Sequence, residues 1–529
     1  MNSPISLWFA GLCLALAPSL AAQDVAGDWA GWMYLDDGDV PVRFHFARAG
    51  EELRVKIDLP VAGSTGVALG YAALEGERLV VAHPSKEDAQ IHFALDLTGG
   101  SRLCGEVTWY GVDGRAELQR AAGMLLWEAP KEIADLVGVY GDPGAGALAV
   151  RAQGWGELVL LDPERGDERT LFARPGGGYV VGPGLYVPAP IERELRFERD
   201  ASGAVLALVD GDRRLERREV RTEQITVERD GATLAGTLTL PAGENAACLV
   251  LAGGSDWRNR RGLETQRLLL AALGVASIAY DKRGFGESGG QRTVPFATTA
   301  ADLRAFAELA RAHPACDGER GGYLAGRRGG WSGAVAAAED PACACFVSFV
   351  GPAVSPIEQE TTARLDRMLE RGATEAELAL GERYLRALWE FARGASDGNS
   401  YLALRREVAG AGWLDELQGP DDLDDESWRW TRLNGDFDQR ATLRSLDCPT
   451  LALFGELDLA VAARIHAPLM RDALWFAGVD PAKVLVLTGC DHSLRVVERD
   501  PDGQRMPFHR SPGRHPEAWS SIAAFVQAR

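Results

Sequence analysis

Between about Asp24 and Ala122, apolar and polar residues alternate with period two. In "VRFHFA", Val42, Phe44 and Phe46 fall on one face, and "LRVKIDL" and "IHFALDL" repeat the pattern. Neighbouring side chains of a strand point to opposite sides, so this alternation predicts antiparallel strands with one face on a core and the other in water. A second stretch, from about Lys131 to Arg221, opens on "LVGVYGD" and contains "ELVLLDP" and "ELRFERD". It shows the same alternation between Gly- and Pro-rich turns. From about Gln224 the rhythm changes: "ACLVLAGG", "VASIAYD", "GGYLAG", "CFVSFVG", "PTLALFG" and "KVLVLTG" are short apolar runs separated by stretches of helical period. That is the signature of βαβ units and a mainly parallel sheet. A helical insertion over about residues 355–439 interrupts the series after "FVGPAVSP". Its position suits a lid over the carboxyl ends of the strands, where open α/β sheets bind ligands. The expected organisation is therefore two small antiparallel β domains, at 23–125 and 130–222, ahead of an α/β domain at 224–529.

Residues 1–22 read as a secretory signal peptide. An apolar run from Ile5 to Leu16 is followed by Pro18 and by small residues at Ser19 and Ala21, although no Lys or Arg precedes the run. A secreted or periplasmic protein is the expectation, without lipid attachment, because no lipobox surrounds Cys13. No other segment approaches the ~18 apolar residues of a membrane span. A composition of 46% hydrophobic and 25% charged residues suits globular domains, and a formal net charge of -20 argues against a nucleic-acid or anionic-membrane partner. Seven cysteines follow residue 22, odd in number and scattered, which is not a disulfide framework. Cys343 and Cys345 alternate and are expected on opposite faces of a strand. The eight histidines form no ligand-spaced cluster, so no metal is expected. Neither a Walker lysine nor a dinucleotide-binding glycine fingerprint is present, so no cofactor is expected either.

"GSDWRNR", "YDKRGFGESGG", "ATTAADLRAFAELARAHP", "VGPAVSPIEQE", "CPTLALFGELDLAV" and "GCDHSL" follow one another in an order that resembles secreted bacterial α/β-hydrolases. The chain is similar to the EstD-like esterase group, close to the serine aminopeptidase and dipeptidyl-peptidase branches, over about 300 residues. The resemblance implies an α/β-hydrolase fold with a helical lid, preceded by accessory β domains, and a small-molecule ester or acyl substrate. It also implies a nucleophile on a strand-to-helix turn, an acid and a histidine base in that chain order. Asp458 in "FGELDLA" matches the family acid and His492 in "GCDHSL" the base. Asp491, beside the histidine, reads as a surface or turn residue. The oxyanion donors implied are the N–H groups of Ser255 and Gly329, with Asp256 standing where the family has a second glycine.

The nucleophile is the departure. Ser288 fits G-x-S-x-G literally but belongs to the loop after an earlier strand, where the family has a structural serine. In "YLAGRRGGWSGAVAAAEDP", framing the turn with Gly326 and Gly330 puts Arg328 at the nucleophile position. A guanidinium stays protonated and has no lone pair with which to attack a carbonyl. Ser332, one helical turn further on, is the substitute candidate. Two readings remain from sequence: a carboxylic-ester (acyl) hydrolase working through a displaced Ser332, and a catalytically inactive homologue that binds a ligand, with Arg328 paired to Asp458 or to an anionic group.

Overall fold

A computed structural model describes residues 25–528 except 36–37, 51, 60–63, 76–77, 84, 87–90, 99, 110–111, 121–130, 154–156, 174–176, 186–190, 254–259, 412, 414–416, 418, 420–422, 424–426 and 500–512. The segment read as a signal peptide lies outside the described residues. Two compact units separate near residue 125.

The first unit is a nine-stranded antiparallel sheet in which the first and last strands in chain order pair at the centre. From Ser64–Ala68 at one edge it runs through Glu52–Leu59, Gly38–Ala49 and Gly27–Leu35. It then crosses to Val112–Arg120 and returns through Arg102–Trp109, Ile91–Thr98 and Arg78–His83 to Tyr71–Glu75. The period-two residues form its core: Trp29, Phe44, Val55, Ile57 and Phe93 are buried, with Phe44 and Phe93 edge to face at 4.9 Å.

The second unit begins with a closed antiparallel barrel of eight strands, from Gly138–Tyr140 to Arg213–Arg218. In "ELVLLDP", Leu158 and Leu160 fill the barrel, whereas Val159 and Leu161 point outward into a core shared with Leu249, Leu269 and Trp519 of the following domain. All four are buried because the outer face of the barrel is covered by protein. Tyr140 is part of the barrel core and donates its buried hydroxyl to the Leu136 carbonyl at 2.6 Å.

The α/β domain has eight strands: β1 (Arg221–Arg229), β2 (Ala232–Leu240), β3 (Cys248–Ala252), β4 (Ala276–Tyr280), β5 (Gly322–Gly326), β6 (Cys345–Phe349), β7 (Thr450–Gly455) and β8 (Val484–Leu487). Their spatial order is 1-2-4-3-5-6-7-8, parallel from β3 onward, which is the α/β-hydrolase fold. Six of the strands are the apolar runs seen in the sequence. The β1/β2 hairpin was not, because β1 carries charged residues on an exposed face at the edge of the sheet.

Between β6 and β7 lies the helical insertion: α1 (Pro356–Glu370), α2 (Glu375–Ala392), α3 (Asn399–Glu407), α4 (Ser427–Asn434) and α5 (Gln439–Arg444). Ser355 and Glu358 form a capping box at the start of α1, as Thr374 and Glu377 do for α2. Tyr384, Leu388, Tyr401 and Trp428 give the insertion a core of its own.

Candidate active site

The chain leaves β5, turns at Arg327, and enters a helix over Gly329–Glu339. Arg327 has φ +55°, the left-handed conformation a side chain adopts only where the fold imposes it, whereas Arg328 is already in the right-handed helical region at φ -55° and ψ -26°. The turn residue is therefore Arg327, one position before the Arg328 expected from the sequence. Close contacts show why. A Cβ on Gly329 would lie 2.3 Å from the Ala252 carbonyl oxygen, and one on Gly330 would lie 2.9 Å from the Gly351 Cα. The two glycines that the turn requires are thus 329 and 330, where the helix meets the ends of β3 and β6. A Cβ on Gly326 would make only an ordinary contact of 3.8 Å.

The two arginines point to different partners. Arg327 donates from a terminal nitrogen to the Ser493 hydroxyl at 2.7 Å, beside His492 in the chain. Arg328 reaches into the lid, donating to Glu360 of α1 at 3.0 Å and lying over the Trp430 ring, 5.2 Å from its centroid. The expected pairing of Arg328 with Asp458 is replaced by this contact with Glu360, a residue the sequence did not single out. Burial would raise the Glu360 carboxyl, but the charges of Arg364 and Arg328 hold it below its ordinary value.

Asp458 follows β7 and His492 follows β8, and the fold brings them together: His492 Nδ1 lies 2.8 Å from Asp458 Oδ2. The other carboxylate oxygen accepts the N–H groups of Ala460 at 2.7 Å and Val461 at 2.9 Å. Burial would raise the Asp458 carboxyl; the bond from His492 and those two backbone donors reverse the effect and hold it below its usual value. An ionised carboxylate only accepts, so Nδ1 carries the proton of this bond and Nε2 is the ring nitrogen left to face a substrate. Asp491 caps the turn instead, accepting from the N–H groups of Ser493 at 2.7 Å and Arg495 at 3.1 Å.

Ser332 is buried in its helix, its hydroxyl donating to the Gly329 carbonyl at 3.3 Å. It lines a cavity of about 40 Å³ with Lys282, Arg283, Phe296, Asp302 and Trp430; neither His492 nor Asp458 lines that cavity. Ser332 thus lines a different cavity from Asp458. Ser332→Ala is expected to leave any ester turnover unchanged in kcat/KM, and a large loss measured with a short-chain nitrophenyl ester would contradict this placement. Ser288 is structural, donating to the Asp281 carbonyl at 2.6 Å and accepting the Ala235 N–H at 2.9 Å. Ser255 and Asp256 lie outside the described residues.

A wider cleft of about 360 Å³ adjoins Asp458 on its lid side, lined by Asp366, Leu369, Glu370, Leu459, Ala462 and Arg464 among others. Two residues that sequence reasoning missed brace the surroundings. His466 accepts the Ala353 N–H through Nδ1 at 3.0 Å, and burial lowers it to about 4, so it is neutral near pH 7. Glu168 of the barrel reaches Arg495, just past His492 in the chain, and, at 3.2 Å, Arg514. The barrel approaches closely here: the Arg514 N–H donates to the Gly166 carbonyl at 2.8 Å. Gly166 has φ +73°, and a Cβ there would lie 2.0 Å from the Arg514 carbonyl oxygen.

Residues 230–466 match the family model of X-Pro dipeptidyl-peptidase (S15 family), a span that contains the turn and Asp458 but ends before His492. No curated protein matches the chain. Among solved structures, an esterase of Pyrococcus furiosus is similar at 18% identity and a TM-score of 0.36, covering 59% of this chain and 91% of its own. Proline iminopeptidase of Mycobacterium smegmatis is similar at 18% identity and a TM-score of 0.35, covering 58% of this chain and 98% of its own.

Proposed function

We propose that this α/β-hydrolase-superfamily chain is an exported hydrolase of carboxylic-ester or acyl substrates that uses no serine nucleophile. The observation that carries the reading is the Asp458–His492 pair, assembled at 2.8 Å although the turn residue is an arginine. In this reading His492 Nε2 takes a proton from water as the water oxygen bonds to the substrate carbonyl carbon. Asp458 stabilises the imidazolium that forms. In this reading the tetrahedral oxyanion is held by the backbone N–H that follows the turn residue, that of Arg328 in place of Gly329, and by the Arg327 charge. Collapse of the intermediate expels the alkoxide, which takes the proton back from His492. No acyl-enzyme forms, so only general-base and electrostatic contributions act.

The test combines turnover with labelling. The mature protein is expected to hydrolyse short-chain nitrophenyl esters without reacting with a fluorophosphonate. His492→Ala should lower kcat/KM by about 10²- to 10⁴-fold, the usual contribution of a general base. Labelling of the wild-type protein would refute the serine-free mechanism.

A second reading rests on a different observation, the Arg327 guanidinium standing next in space to Ser493. A fixed cation at the catalytic end of the sheet suits retention of a carboxylate ligand without turnover. Saturable binding of a carboxylate such as acetate or butyrate, abolished by Arg327→Ala, with no ester hydrolysis, would select this reading over the first.

A further inference from the structure

Cys343 precedes β6 and Cys448 precedes β7, at the amino ends of two neighbouring parallel strands. The His492 loop is at the other end of the sheet. The two sulfur atoms lie 3.5 Å apart, and both residues are buried in one core layer with Tyr323 and Phe454. Cys345, two residues on, faces the other layer beside Leu249 and Trp519. Cys248, at the start of β3, and Cys316, which bridges to Ala246, are buried in that same first layer. The sequence showed cysteines without a framework because Cys343 and Cys448 are 105 positions apart and meet only through the parallel sheet.

We propose that Cys343–Cys448 is a disulfide site of the folded protein. A disulfide needs ~2.05 Å, roughly 1.5 Å less than the separation of these two sulfur atoms. The oxidant is a disulfide compound, R–S–S–R. The two thiols lose two protons and two electrons, one S–S bond forms in the protein, one breaks in the oxidant, and two R–SH are released. Both thiols are buried in the native state, so the exchange takes place during folding, before the core excludes the oxidant. Both ends of the lid insertion lie inside the loop that Cys343–Cys448 closes. That crosslink would join the chain entering β6 to the chain that returns from the insertion into β7 and limit how far the unfolded insertion can separate from the sheet.

The full chain is refolded in a mixture of oxidised and reduced glutathione, denatured, alkylated without reduction and mapped by peptide mass. The expected map joins Cys343 to Cys448, with Cys13, Cys104, Cys248, Cys316, Cys345 and Cys490 alkylated. A map in which Cys343 or Cys448 is alkylated, or joined to another cysteine, would overturn the proposal. Cys343→Ser should lower Tm relative to wild type after oxidative refolding and much less when both are refolded with reductant. Equal losses under the two conditions would assign the effect to packing and overturn the crosslink's contribution.

Discussion

Arg327→Ser is expected to convert a protein that a fluorophosphonate leaves untouched into one that takes up about one phosphonyl group per chain. Arg328→Ser should stay unlabelled. The difference follows from backbone conformation: residue 327 holds the left-handed turn, and residue 328 has already entered the helix and turned toward Glu360. A serine at 327 would direct its hydroxyl from the strained turn toward the loop that carries His492, whose Nδ1 is already fixed by Asp458. Its oxygen would bond to phosphorus as fluoride leaves and His492 accepts the proton. The readout is the intact mass of each variant after treatment. Labelling of Arg328→Ser in place of Arg327→Ser would restore the register suggested by Gly326. A folded but unlabelled Arg327→Ser would show that the Asp458–His492 pair cannot activate a nucleophile.

The second large effect is on stability. Glu168→Gln is expected to destabilise the second unit by about 3–5 kcal/mol, because it leaves buried Arg495 and Arg514 without their carboxylate. Arg151, at 3.5 Å from the same group, is the third cation. Burial would raise the Glu168 carboxyl, but Arg495, Arg514 and Arg151 pull it to about 2. Arg514, lowered by burial to about 10, keeps its charge near neutral pH. A carboxylate depressed in the folded state contributes stability that is full above its unfolded value of 4.5 and is lost as pH falls through about 2. At 1.36 kcal/mol per unit, a depression of this size corresponds to about 3 kcal/mol. Wild-type stability, measured by urea unfolding, should fall across that window, and the variant should show a flatter dependence there. A variant as stable as wild type near pH 7, with the same acid dependence, would remove the cluster from the account.

Much of the site could be read from the chain because its parts are local. Asp458 and His492 each follow an apolar run of strand length, and the order of such runs in an α/β-hydrolase places both at the same sheet edge. Ser288 and Asp491 could be set aside for the same reason, since their neighbours along the chain define their turns. The one-residue error at the turn arose where local information stopped. "GRRGG" contains three glycines, and nothing in the string says which are pressed against another strand. Ala252 and Gly351 settle it, pressing on Gly329 and Gly330 from β3 and from the loop after β6.

By itself, the sequence determined the alternation that makes the β modules, the apolar runs of six parallel strands, the helical period of the insertion and the places of Asp458 and His492 after two of those strands. These follow from side-chain periodicity and short-range hydrogen bonding, which act between residues a few positions apart. Only the tertiary structure decided that Arg327 occupies the turn, that Glu360 takes Arg328, that Glu168 reaches Arg495 and Arg514, and that Cys343 meets Cys448. Each rests on contacts between residues from 21 to 346 positions apart in the chain. Such contacts depend on strand order and on close packing between elements, which no single segment encodes.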